Sequence, residues 1–172
     1  MLTAIGILCA IAVPQTAAGL DRSRASVAAR YLSAQMALAR SEAVKRSASV
    51  AIRFGDVESG FEMSMFVDGN GNGVRTKDIG AGIDRRIGAA ERLGERFPGV
   101  AIGLSEKTGL GNDPVRFGES SLLTFTSIST ATAGSVYVLG RDGSQYAVRV
   151  LGATARTRVL RYVSAKRAWM EP

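Results

Sequence analysis

Residues 1–46 read MLTAIGILCAIAVPQTAAGLDRSRASVAARYLSAQMALARSEAVKR, and this stretch decides the fold. An apolar run from Met1 to Val13 continues through Pro14 into a charged segment in which apolar residues recur at helical spacing. After Leu20 the recurring residues are Val27, Ala28, Tyr31, Ala34, Leu38 and Ala39. The pattern predicts one long helix with an apolar start and an amphipathic body, kinked rather than ended at Pro14.

The predicted helix is too long for one small domain to cover. At 1.5 Å per residue it would extend over roughly 70 Å, so part of it must be buried in a membrane or in other subunits. The apolar run of about thirteen residues is shorter than the roughly 17 to 20 that span a bilayer, and it lacks the basic start of a secretory signal peptide. The alternative is a soluble enzyme or carrier domain that buries this helix in its own core.

The composition removes most catalytic chemistry. The chain of 172 residues contains no His and one Cys, Cys9, which lies in the apolar run. His-based acid-base catalysis, Cys-His pairs and metal sites built on His or Cys therefore have no ligands or bases here. Because no spacing of Ser or carboxylates suggests a catalytic pair either, we expect a protein that is not an enzyme.

Two segments resemble a known family. Ala4-Ile-Gly-Ile-Leu-Cys-Ala-Ile-Ala-Val-Pro14 resembles the hydrophobic helix of type IV pilins and type II secretion pseudopilins. Leu38-Ala-Arg-Ser-Glu-Ala-Val-Lys-Arg46 is similar to the end of that helix in the GspH/FimT group of minor pseudopilins and pilins. Both segments occur here in the family's order, ahead of a sequence rich in strand signals.

The resemblance implies a filament subunit of a type II secretion or type IV pilus machine. Such a subunit is stored in the bacterial inner membrane as a single-pass protein with its head in the periplasm. It is then assembled helix against helix with other pseudopilins or pilins by an inner-membrane platform. The residues that would form the membrane anchor, and later the filament core, are Leu2, Ile5, Ile7, Leu8, Ile11, Val13 and Pro14.

The family's mature chains begin with a Gly-Phe-Thr-Leu-Ile-Glu-like segment cut by a prepilin peptidase, and no position here matches it. Either the start was assigned too far downstream, or the sequence is a fragment, or the chain is a degenerate paralogue; we favour a lost start, with the segment and its docking glutamate upstream of Met1. About eight further residues would bring the apolar run to spanning length.

Residues 47–172 are expected to form a β-rich head behind the 1–46 helix. Short runs of alternating, β-branched or aromatic residues predict the strands Val50–Phe54, Phe61–Val67, Val100–Leu104, Val115–Phe117, Leu122–Phe125, Ser135–Leu139, Gln145–Leu151 and Arg158–Val163. An Asp-Gly turn at Arg141–Ser144 predicts a hairpin, and the Gly-rich stretches 68–82 and 109–113 predict loops. The fold class is thus α+β, with a long pilin-like helix against antiparallel sheet, as the family resemblance also implies.

The loop 68–82 carries a candidate calcium site. Asp68, Asn70, Asn72 and Asp78 follow the spacing with which a calcium loop begins, and calcium prefers oxygen ligands. The twelfth position is Ile79 rather than a bidentate Glu, and Arg75 and Lys77 add positive charge. A turn stabilised by Asn, Asp and Gly is the alternative.

The C-terminal third carries a candidate DNA site. The chain has a formal charge of +7, and from Arg141 onward seven basic residues face only two acidic ones. On a strand, Arg156 and Arg158 share a face and can bridge successive phosphates. The candidate set is Arg149, Arg156, Arg158, Arg161, Lys166 and Arg167. A Gly-Arg-x-Arg motif near the C-terminus accompanies DNA capture in FimT-like pilins, and Ala155 stands here in place of that Gly; a solvated edge strand is the alternative.

Overall fold

The computed structural model describes residues 19–58 and 60–172 in full. The helix α1, Leu2–Arg46, is described with its side chains from Gly19 onward. Lys45 and Arg46 lie in its last turn, where positive charge complements the helix dipole. Ser47 adopts a left-handed conformation with φ of 50°, and the N–H groups of Ser47 and Ala48 donate to the carbonyls of Val44 and Ala43. This is a Schellman termination, and it turns the chain directly into the first strand.

A four-stranded antiparallel sheet, the small sheet, follows the helix. Its strands lie in the order β3-β2-β1-β6, so β3 and β6 form its edges. A bulge between Met63 and Met65 shifts the register of β2 against β3. The strands are β1 Val50–Val57, β2 Gly60–Val67, β3 Arg85–Arg92 and β6 Leu122–Phe125.

The remaining strands form a second antiparallel sheet, the large sheet. Its order is β10-β9-β8-β7-β4, and β5 also pairs with β7. The strands are β4 Val100–Ile102, β5 Val115–Arg116, β7 Gly134–Gly140, β8 Gln145–Leu151, β9 Arg156–Val163 and β10 Ala168–Met170. Short helical turns lie between strands of both sheets. They are α2 Thr76–Gly80, α3 Leu93–Arg96 and the 3-10 turns Glu106–Thr108 and Ser164–Lys166.

The core lies between α1 and both sheets. The helix contacts β7, β8 and β9 of the large sheet and β1 of the small one. Phe117 and Phe125 are fully buried, and the rings of Phe54 and Phe117 stack with centroids 5.8 Å apart. Burying one large apolar side chain of this kind contributes about 1.5–3 kcal/mol, so this interface holds the helix on the head.

The predicted α+β class, a helix against antiparallel sheets, is confirmed. Each strand predicted from the sequence overlaps an observed strand, and β7 and β8 form the predicted hairpin around Gly143, whose φ is +77°. Several elements differ from the prediction. The helix α2 lies inside the predicted loop 68–82, and β3, β10, α3 and the two 3-10 turns were not predicted. The β3 sequence, Arg-Arg-Ile-Gly-Ala-Ala-Glu-Arg, has few strand-forming residues and is held as an edge strand by β2.

Candidate functional site

The described part of α1 has apolar residues on two opposite sides. The side against the sheets is fully buried and consists of Ala25, Ala28, Ala29, Leu32, Met36, Ala39 and Ala43. The other side, which we call the exposed stripe, consists of Leu20, Val27, Ala34 and Leu38 at spacings of seven, seven and four residues. Leu20, Val27 and Leu38 are 58%, 50% and 46% exposed. Nothing in the described head covers this stripe, which has the spacing of a helix-packing seam.

The exposed stripe runs into a groove between the helix and the small sheet. The groove has a volume of about 440 Å³, and Leu38 lies on its helix side. Ile52, Met63, Met65 and Ile87 form its apolar floor. Glu91, which also lines the groove, accepts a hydrogen bond from the Tyr31 hydroxyl, and the Arg96 guanidinium lies 4.7 Å from the centroid of the Tyr31 ring. Gln35, Glu42 and Arg46 line the groove as well, so its apolar floor has a polar rim.

The proposed anchor residues lie outside the part of the chain whose side chains are described. They are Leu2, Ile5, Ile7, Leu8, Ile11, Val13 and Pro14, and the predicted kink at Pro14 lies there too. Within the described residues, the structure contains no helix with the length and apolarity of a membrane span.

The predicted DNA-binding residues occupy two sides of the large sheet. Arg149 and Arg158 are direct cross-strand neighbours on β8 and β9, and Arg156 shares their face. Thr157 points the opposite way, toward α1, where its hydroxyl lies 2.9 Å from that of Ser33. Three guanidiniums thus share the outer face, the face turned away from α1, with the Glu171 carboxylate 3.8 Å from Arg158.

The other three basic residues do not join this face. Arg161 is three residues from Arg158, so the alternation of the strand turns it toward the helix side. Lys166 lies in the 3-10 turn after β9, and Arg167 follows it in a left-handed conformation with φ of 47°. These two residues lie at the far end of β9 from Arg156, about 25 Å away along a strand of eight residues.

Two helix residues that the sequence did not indicate line the same groove as Arg156. Arg40 and Lys45 of α1 line a groove of about 510 Å³ together with Arg156 and Thr157. Ser129 and Ala155, which also line it, both adopt left-handed backbone with φ of 62° and 49°. Non-glycine residues hold this conformation only where surrounding contacts fix it. No sequence signal links the helix cations to Arg156, because the tertiary fold alone brings them together.

The candidate calcium loop is organised by two carboxylates. Asp68 accepts hydrogen bonds from the backbone N–H groups of Asn70, Gly71 and Gly73. Asp84, 2% exposed, accepts from Gly69 at 3.1 Å and Arg75 at 2.8 Å.

The remaining predicted ligands of this loop also have partners within it. The Asn70 side-chain oxygen accepts from the backbone N–H of Asn72 at 3.2 Å. The Asn72 amide donates to Asp78, which is also buried, at 3.1 Å. Asp84 is the organising residue that the loop template missed, since it lies beyond the twelfth position. Among the described residues, no three His, Cys, Asp or Glu side chains gather as a metal site. Calcium binding stays a prediction, and the oxygens present hold the turn together.

Comparison with known families gives one match. The model of the family described as type II transport protein GspH matches residues 28–155, which is well over half of the chain. The chain belongs to the GspH family. The predicted GspH/FimT resemblance is thereby confirmed. No curated protein and no solved structure matches the chain.

Membership of the GspH family indicates the general role of the chain. It gives the chain a type II secretion pseudopilin-like role that is structural rather than enzymatic, in association with other pseudopilins. The matched range contains most of the buried side of α1, the loop around Asp68 and the β7–β8 hairpin. It ends at Ala155, one residue before the basic strand β9 begins with Arg156. Of the basic outer face, Arg149 lies inside the matched range, whereas Arg156 and Arg158 lie beyond it.

Proposed function

We propose that this GspH-family chain is a minor pseudopilin of a type II secretion machine. Its N-terminal helix holds it in the bacterial inner membrane with the head in the periplasm. The same helix then packs against other pseudopilins in a filament built by an inner-membrane assembly platform. Its function is packing rather than chemistry.

The observation that carries this proposal is the exposed stripe of α1. Leu20, Val27 and Leu38 recur along one exposed side of α1, while the other side of the same helix is completely buried. Seven-residue spacing of aliphatic side chains is the pattern by which helices pack side by side. The family description, a type II transport protein, favours secretion over a type IV pilus.

The test is a charge placed in the exposed stripe of the full-length chain, in cells that make the other pseudopilins. Val27→Glu is expected to abolish co-isolation with the filament, because packing would bury an unpaired carboxylate. Leu151→Glu is the matched control: Leu151 is 40% exposed and lies on the outer face of the large sheet. Alkaline extraction of membranes measures storage separately. Filament incorporation of Val27→Glu at the wild-type level would refute helix packing through this stripe.

A second candidate function is DNA binding for uptake, favoured by the arginine arrangement. Arg149, Arg156 and Arg158 share the outer face, and Arg40 and Lys45 add positive charge at the edge where Arg156 begins β9. Cations spaced along one face can follow a phosphate backbone.

DNA binding is tested by fluorescence anisotropy with duplex DNA at several salt concentrations. The double variant Arg156→Ala with Arg158→Ala should weaken binding and lower the salt slope by about 2, since each phosphate contact contributes roughly 0.9. Arg85→Ala with Arg86→Ala removes the same charge from exposed positions on β3 and should leave affinity nearly unchanged. A salt-independent signal, or equal losses in both pairs, would exclude this function.

Calcium at Asp68, Asn70, Asn72 and Asp78 is a further proposal for the same head. The Asp68 and Asp78 carboxylates now accept hydrogen bonds from the Gly71 N–H and the Asn72 amide. A calcium ion would have to replace these donors. Calorimetry of the full chain with calcium, with magnesium as the control ion, tests it directly. The proposal requires heat of binding and a higher Tm with calcium, and both should disappear in Asp78→Asn.

A further inference from the structure

A polar cavity lies beside the first described turns of α1. It has a volume of about 220 Å³ and lies between α1, the 3-10 turn Glu106–Thr108, the β7–β8 turn and the end of β9. We call it the Arg22 cavity. Its charged lining consists of Arg22, Lys107, Asp142 and Arg161, and the hydroxyl groups of Ser105 and Ser164 line it too.

The Arg22 cavity has an excess of positive charge. Asp142 is its only acidic lining residue among those described, and its carboxylate accepts from the backbone and the hydroxyl of Ser144 at 3.1 and 2.6 Å. Arg22 approaches Asp142 at 3.7 Å. No acidic side chain in the described chain lies within ion-pair distance of Lys107 or Arg161. Two cations therefore remain to attract an anion, with a third at the rim.

The walls of the cavity are fixed rather than loose. Gln145 is 2% exposed, accepts from the Ser105 N–H at 2.7 Å, and donates to the carbonyls of Gly103 and Val138. The Tyr162 hydroxyl donates to the Lys107 carbonyl at 3.0 Å. These bonds tie the backbone of the 103–107 segment to β8 and β9, so the position of the Lys107 backbone relative to Arg161 is fixed before a ligand arrives. A fixed backbone lowers part of the ordering cost of binding.

The position of Arg22 in the chain indicates the source of the anion. Residues 1–20 carry no charged side chain, and Asp21 and Arg22 are the first charges. In a chain stored in the membrane, the boundary between hydrocarbon and headgroups falls close to such a transition. The cavity is large enough for one phosphate group and its nearest substituents, and too small for a nucleic-acid duplex.

We propose that the Arg22 cavity binds the phosphodiester of an anionic phospholipid headgroup and holds the head against the membrane surface while the subunit is stored. This inference rests on the membrane storage proposed above. Lys107 and Arg161 donate charge-assisted hydrogen bonds to the phosphate oxygens, and Arg22 adds a contact at the rim. Extraction of the subunit into a filament releases the headgroup.

The test is calorimetry of the full-length chain in non-ionic detergent. Short-chain phosphatidylglycerol is the probe, and short-chain phosphatidylcholine, inorganic phosphate and a DNA duplex are the comparison arms. Phosphatidylglycerol should bind, and Lys107→Gln with Arg161→Gln should weaken it about tenfold or more. Arg22→Gln should weaken it less. The control Arg85→Gln with Arg86→Gln carries the same charge change on β3 and should bind as wild type.

Several outcomes would overturn the proposal. These are the absence of phosphatidylglycerol binding, equal weakening in the control pair, phosphate binding as tight as that of phosphatidylglycerol, and displacement of the lipid by DNA. A Tm measurement for each variant separates loss of the site from loss of the fold. Alkaline extraction of wild-type membranes tests storage by itself. If the chain stays in the membrane and the titration is flat, the cavity proposal fails and membrane storage stands.

Discussion

The two sides of α1 differ in residue size as much as in burial. Five of the seven fully buried residues are alanines, whereas the exposed stripe has Leu20, Val27 and Leu38. Alanine brings the helix axis close to the sheets, where the backbones of β7 and β8 supply the contact surface. Large aliphatic groups that recur along one side of a helix, rather than singly, are typical of an interaction surface. The inner side thus fixes the fold of one chain, whereas the outer side is the surface that we propose packs against other subunits.

The strongest test of this difference pairs two leucines. Leu32→Ala should lower the free energy of unfolding by about 2–5 kcal/mol, because it leaves a cavity at a fully buried position. Leu38→Ala, at a position 46% exposed, should change it by less than about 0.5 kcal/mol. Urea unfolding of the full chain in detergent, followed by Trp169 fluorescence, measures both. Similar losses in both variants would mean that Leu38 is already covered in the single subunit.

Gly140 tests how closely the inner side of α1 approaches the β7–β8 turn. A Cβ at this position would lie 2.9 Å from the Ala25 Cβ and 2.6 Å from the Ser144 Oγ, so Gly140→Ala should cost about 1–3 kcal/mol. Gly19→Ala is the control, because a Cβ there meets nothing within 4 Å and alanine favours the helix by up to about 1 kcal/mol. The same unfolding measurement applies. A neutral Gly140→Ala would show that the helix has room to move away from the β7–β8 turn.

The elements that have a local sequence signal were predicted. The elements that form only through tertiary contacts were not. The long helix and the β7–β8 hairpin follow from apolar spacing and the Asp-Gly turn, which are local signals. The division of the helix into two apolar sides was not predicted: the predicted face included both Ala28 and Ala39, which are buried, and Val27, Ala34 and Leu38, which are exposed. The strand β3 could not be predicted, because Arg85–Arg92 forms a strand only through pairing with β2. The same limit applies to the sites. The sequence indicated that Arg156 and Arg158 share a face, but Arg40, Lys45 and Arg156 line one groove only because the helix packs on the sheet.

Tyr31 lies at the border between the two sides of the helix. Its substitution should lower the free energy of unfolding by less than Leu32→Ala does. Tyr31→Phe removes the hydrogen bond to Glu91 and should cost about 0.5–1.5 kcal/mol near neutral pH. Burial, followed by the hydrogen bond to Glu91 and the charge of that carboxylate, raises the pKa of Tyr31 above its ordinary value of 10.0. The neutral phenol is thus favoured in the folded state.

The pH dependence of the Tyr31 contribution follows from this direction. The contribution is fully present below pH 10.0 and is lost as pH rises through the higher folded-state pKa. The difference in free energy of unfolding between wild type and Tyr31→Phe should therefore shrink in alkaline solution. Urea unfolding at neutral pH and at about pH 11 measures it. A difference that stays constant across this range would mean that the phenol proton has no role in the contact.

Substitution of Glu42 is expected to change the stability of the fold least. Glu42 lies on the solvent-facing flank near the end of α1. Its carboxylate accepts from Arg46 at 2.9 Å and approaches Lys45 at 3.5 Å. The hydrogen bond from Arg46, helped by Lys45, holds the pKa of Glu42 below its ordinary value of 4.5. A lowered pKa stabilises the fold above pH 4.5, and this contribution is lost as pH falls through the folded-state value.

Glu42→Gln should therefore lower the Tm slightly near neutral pH and not at all in strong acid. Glu119→Gln, at an exposed residue, is the control and should change the Tm at neither pH. The expected change at Glu42 is small because water screens an ion pair on this side of the helix. A loss as large as that of Leu32→Ala would place Glu42 within the packed inner side, and the division of α1 into a folding side and an assembly side would have to be redrawn.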